Sequence, residues 1–161
     1  NGIIWLVIMF GIVYVLRTLT KKGTAAIRDA ATGNSLQRSQ EAVHRTLVIR
    51  APVSSSEYVR RLQQSLSAEP ALSTGYRVEA DPSGEMLTVS KWGLGMPSMR
   101  FAVSVTDDGS ACIGRAWAVS WRESEGRTDS VKGIETIHQC IRALTVSLGG
   151  DVGETISPSN H

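Results

Sequence analysis

The chain has 161 residues, 42% hydrophobic and 20% charged, with a net charge of +2, a composition that suits one globular domain and an appendage. Residues 17–50 carry seven basic side chains against Asp29 and Glu41, whereas residues 51–161 carry ten basic against thirteen acidic ones. The main part of the chain is therefore mildly acidic and lacks the basic face that a nucleic-acid binder presents. Two cysteines, Cys112 and Cys140, stand outside any CxxC or Cys/His ligand spacing, which argues against structural zinc and fits two reduced thiols.

From Gly2 to Leu16 there is no charged residue. Extended to Thr20 past Arg17, whose guanidinium can snorkel to an interface, a helix over this run spans roughly 28 Å, close to the ~30 Å hydrocarbon core of a bilayer. Trp5 and Tyr14 lie near its two ends as interfacial anchors do. The basic cluster follows the run instead of preceding it, and no A-x-A site follows, unlike a secretory signal. "KKGT" and "TGNS" break the continuous helix that a pilin-like segment needs, and a buried core helix would show a polar face. Residues 1–20 are thus expected to form a single transmembrane helix. Arg17, Lys21, Lys22 and Arg28 flank its C-terminal end. They place the following domain on the cytosolic side, or in the matrix or stroma of an organelle, with anionic membrane lipid within reach of the basic cluster. Gly2 and Gly11 do not make a GxxxG seam.

Residues 21–45 read as a basic, partly helical juxtamembrane linker, and residues 46–150 as a soluble α+β domain. "RTLVIRA" is a short apolar strand. "PVSSSEYVRRLQQSLSA" is a helix whose start is marked by the capping box Ser54/Glu57 and the staple pair Val53/Tyr58. Tyr58, Val59, Leu62 and Leu66 form its apolar stripe. The period then changes to two. "YRVEA" sends Tyr76, Val78 and Ala80 inward, and "DPSG" turns the chain into "EMLTVSKW". "GLGMPS" breaks that strand, and "MRFAVSVT" alternates Phe101, Val103 and Val105. "DDGS" turns again into "ACIGRAWAVSWRE", with Ile113, Arg115, Trp117, Val119 and Trp121 on one face and small residues on the other. "TDSVKGIETIHQCIRALTVSL" is a long amphipathic helix ended by Gly149-Gly150. Residues 151–161 read as an irregular tail.

The predicted order is β-α-β-β-β-β-α, an antiparallel sheet packed on a long C-terminal helix. This order is similar to the helix-grip, START-like pattern, in which a curved sheet wraps a long final helix. The likeness is one of element order, with one helix and one strand of that pattern absent.

The residues offer no catalytic constellation. His44 and His161 lie in the linker and tail. His138 is two positions from Cys140, about 200° around a helix, so the two cannot act as a pair. "GLGMPS" precedes a strand and so lacks the helix N-terminus that a phosphate loop needs. No enzyme activity, cofactor or metal is expected. Two features remain. Trp92, Leu94, Met96 and Met99 crowd a Gly/Pro loop, either as a contact surface or folded back as a lid. Trp117 and Trp121 share a strand face, either as core or as the lining of a pocket. The expected function is a non-catalytic single-pass accessory subunit of a larger membrane complex, energy-transducing or transport, whose domain docks on other subunits through these residues. The alternative is a membrane-tethered START-like module that binds a lipid or other apolar small molecule.

Overall fold

The computed structural model describes residues 37–156, apart from 94, 125, 126 and 129. The apolar run with Trp5, Tyr14, Arg17, Lys21 and Lys22 lies outside the described residues, as does Leu94. The elements below belong to the unit Arg38–His161. It is an α+β fold with a six-stranded antiparallel sheet and helices. Among the described residues no helix is long and apolar enough to cross a membrane.

Residues 38–44 are helical, here α1, and run straight into strand β1 (Arg45–Ala51). Helix α2 (Ser55–Ala68) starts where the capping box predicts, with Ser54 Oγ accepting the Glu57 N–H at 3.3 Å. Its stripe Tyr58, Val59, Leu62 and Leu66 is buried, each leucine contributing roughly 1.5–3 kcal/mol of hydrophobic stabilisation. On its wet side Glu57 pairs with Arg61 and Arg60, and their hydrogen bonds hold its carboxyl below the usual range. After a 3-10 turn at Pro70–Leu72 come strands β2 (Tyr76–Ala80), β3 (Met86–Gly93), β4 (Met96–Asp108) and β5 (Ala111–Trp121). The two-residue strands β6 (Glu123–Ser124) and β7 (Arg127–Thr128) pair with each other, and helix α3 (Val131–Ser147) follows.

The chain then departs from the sequence expectation. "DVGETI" is not irregular. It forms strand β8 (Asp151–Ile156), paired with β1 from Arg50↔Asp151 to Arg45↔Ile156. The order across the sheet is β2-β3-β4-β5-β1-β8, with β1 as the bridge between the meander and the last strand. The turn after α3 makes this pairing. Gly149 takes φ 77°, and the Gly150 N–H donates to the Thr145 carbonyl. At Gly150 the chain lies so close to β1 that a Cβ there would collide with the Arg50 carbonyl. Glu154 of β8 then reaches Arg142 of α3 and Arg45 of β1.

Helices α2 and α3 lie on the same face of the sheet. The core between them and the strands holds Leu47, Ile49, Leu87, Val89, Phe101, Val103 and Ile137, all with zero exposure. Tyr58 Oη and Thr145 Oγ1 are 2.8 Å apart, joining α2 to α3. Because Thr145 donates to the Ile141 carbonyl at 2.7 Å, Tyr58 is the donor in that pair. Burial pushes the Tyr58 hydroxyl up to about 12, so it keeps its proton for this bond. Helix α1 adds Ala42 and Val43 to the same core, and its Arg38 pairs with Glu135 of α3 at 3.3 Å.

Phe101 sits at the centre of this layer. We expect Phe101→Ala to cost about 3–5 kcal/mol in urea unfolding, and Val119→Ala, on the opposite face, to change stability by less than about 0.5 kcal/mol.

Candidate docking surface

A β-strand sends alternate side chains to opposite faces, so every strand that feeds this core also furnishes a second face. On β3 the outward residues are Met86, Thr88, Ser90 and Trp92. On β4 they are Arg100, Ala102, Ser104 and Thr106, and on β5 Ile113, Arg115, Trp117 and Val119. Val48 and Arg50 of β1 continue the surface. Met86, Ile113, Val48 and Trp92 are exposed there, and Val119, at 52%, is the most open of these apolar side chains.

One of two β-bulges sets which tryptophan of β5 reaches this face. Between Arg100 and Phe101 the β4–β5 register shifts: Phe101 faces Ala118, Arg100 faces Ser120, and Val119 is left without a partner. The extra residue breaks the count of two. Trp117 stays on the outer face opposite Ala102. Trp121 swings to the helix side opposite the fully buried Met99. There it packs edge-on against His44 at 5.6 Å, and its Nε1 donates to Glu123 at 2.8 Å. The expectation that Trp117 and Trp121 share a strand face is therefore corrected. The second bulge skips Ser98 of β4, and Trp92 keeps the outward place that alternation with Thr88 and Ser90 gives it, with the Arg77 guanidinium 4.4 Å above its ring.

The "KWGLGMPSM" segment is also corrected. It is not an open loop, because β3 runs to Gly93 and β4 starts at Met96. Gly95 turns the chain at φ 80°. Met96 is exposed and meets the Arg122 guanidinium at 3.3 Å. Met99 is core, with zero exposure. Of the contact candidates, Trp92 and Trp117 thus lie on the outer face and Met96 is exposed, Met99 is core, Trp121 is half-buried on the helix side, and Leu94 lies outside the described residues. Sequence reasoning missed Met86, Val48 and Arg100. Carrying the period of two along β1, β3 and β4 would have found them.

Trp117 stands between two open depressions. One, of about 600 Å³, includes Trp92, Arg100 and Val119 in its lining. The other, of about 520 Å³, includes Val48, Ile113 and Arg115. Among the described residues the arginines in ion pairs are Arg38, Arg45, Arg50, Arg60, Arg61 and Arg142. Arg100 and Arg115 are not among them.

The titratable groups of the core side do not converge on this face. Cys112 and Cys140 are free thiols, and burial raises both. Among the described residues no cluster of His, Cys, Asp or Glu could hold a metal ion. His138 is 2% exposed, its edge is packed against Phe101 at 5.3 Å, and neither ring nitrogen has a partner among the described residues. Burial, with repulsion from Arg45 and Arg142, lowers its imidazole to about 4. No known protein-family description matches the chain, and no match was found among curated proteins.

The imidazole makes stability pH-dependent. In the unfolded chain it takes up a proton as pH falls through 6.5, while the folded one resists down to about 4. The native state is therefore favoured above 6.5 and loses up to roughly 3 kcal/mol as pH falls from 6.5 to 4. We expect the urea midpoint to fall between pH 7 and pH 5 in the wild type, and to fall less in His138→Leu. Parallel pH profiles for the two would contradict the assignment.

Proposed function

We propose that the chain is a non-catalytic, single-pass subunit of a larger membrane complex, and that its domain docks on neighbouring subunits through the outer sheet face around Trp117. The observation that carries this reading is the outer face itself. Val48, Met86, Trp92, Ile113 and Val119 stand exposed on one sheet face, set among Arg50, Arg100 and Arg115, and a surface rich in Trp, Met and Arg is the composition of protein contact sites. Full burial of such side chains yields roughly 1.5–3 kcal/mol each, the scale on which interface anchors work.

The N-terminal run and the basic residues behind it supply the membrane part of the proposal. In it, residues 1–20 span the bilayer and the domain faces the cytosol, matrix or stroma. We read the fold as a reduced helix-grip arrangement, with the meander closed by β1 and the long α3 laid across it. The alternative, a START-like cavity for an apolar molecule, needs empty space between sheet and α3. Leu47, Phe101, Ile134, Ile137 and Ile141 fill that layer with zero exposure, which favours docking.

The test is purification of the full chain from its native membrane in mild detergent. We expect stoichiometric companion subunits, lost in Val119→Asp and Trp117→Asp variants that keep the wild-type circular dichroism spectrum. A monodisperse lone monomer, or companions retained by both variants, would contradict the proposal.

A further inference from the structure

The charges on the outer face point to the chemistry of what covers it. Arg100 and Arg115 are both exposed, and neither makes an ion pair among the described residues. Their places follow from the register. Arg115 faces Ser104, Trp117 faces Ala102, and Arg100 faces Ser120. Because β4 and β5 are antiparallel, Arg115 lies two residues to one side of Trp117. Arg100 lies two residues to the other side, counted along β4 from Ala102. At ~3.3 Å per residue the two guanidiniums bracket Trp117 over about 13 Å of strand.

An extended polypeptide has the same repeat and shows residues i, i+2 and i+4 on one side. Resting on the docking reading above, we infer that this face receives an extended acidic segment of the partner protein. A carboxylate of the segment meets Arg115, an apolar side chain meets Trp117, and a second carboxylate meets Arg100. The guanidinium fork matches a carboxylate bidentately, and the apolar surroundings of Trp117, Val119 and Ile113 strengthen such pairs by excluding water. The relief agrees, since the depressions on either side of Trp117 accept protruding side chains, which a flat bilayer surface does not supply.

The experiment places the photoreactive p-benzoylphenylalanine at Val119 in the full chain and irradiates the native membrane. The cross-linked peptide is then sequenced by mass spectrometry. We expect a partner-protein peptide with Asp or Glu at i and i+4 around an apolar residue. Its yield should fall at least tenfold with Arg100→Glu and Arg115→Glu together, and at least threefold with Arg100→Gln and Arg115→Gln. A partner peptide without that acidic spacing, or a yield indifferent to the charges, would overturn this inference and leave the docking reading standing. A cross-link to lipid or nucleic acid alone, or none at all, would overturn both.

Discussion

A six-stranded sheet with helices on one side has two faces and one core. Strand geometry leaves no freedom in this: each residue that feeds the core places its neighbours on the opposite face. Here α2 and α3, joined through Tyr58 and Thr145, both lie on the side of Leu47, Phe101 and Ile137. The outer face is therefore a direct consequence of how the core is built. Its chemistry is what distinguishes it. An antiparallel sheet that meets water usually alternates apolar and polar, yet this one carries Trp92, Trp117, Met86, Ile113 and Val119 outward.

The bulge between Arg100 and Phe101 does more than bend a strand. By inserting Val119 without a partner, it reverses the alternation beyond that point. Trp121 is delivered to the helix side, opposite Met99, where it supports His44 at the junction of α1 and β1. Trp117 keeps its outward place, with Arg100 and Arg115 to either side. One residue thus separates a structural tryptophan from a surface one. At the other end of the sheet, β8 is held less by side-chain burial than by its ladder to β1 and by Glu154, which Arg142 and Arg45 share.

What the sequence made legible follows from how local each signal is. The capping box at Ser54, the stripe from Tyr58 to Leu66, and the alternations Tyr76/Val78/Ala80 and Phe101/Val103/Val105 are short-range patterns that the fold keeps. The bulges are not short-range. Whether position 119 or 120 pairs with Arg100 depends on the neighbouring strand, and no spacing within "AWAVSW" reveals it. Strand β8 was hidden for a related reason. Its residues Asp151, Gly153 and Glu154 have little strand preference, and its pairing depends on the Gly149-Gly150 reversal. For the candidate surface, Trp92, Met96 and Trp117 could be read from the sequence. Trp121 could not, because parity carried through the bulge at Val119 gives the wrong face, whereas the alternation of Val105, Val103 and Phe101 already sends Met99 to the core.

The central proposal is that the chain sits in a membrane and that its outer sheet face is covered there. Hydroxyl-radical footprinting reads this directly by comparing native membranes with the detergent-purified chain. The account predicts that Met86, Trp92 and Trp117 are shielded in the membrane and oxidised several-fold faster once purified, while the fully buried Met99 stays protected in both. Equal oxidation of Trp117 and Met86 in the two preparations would contradict it.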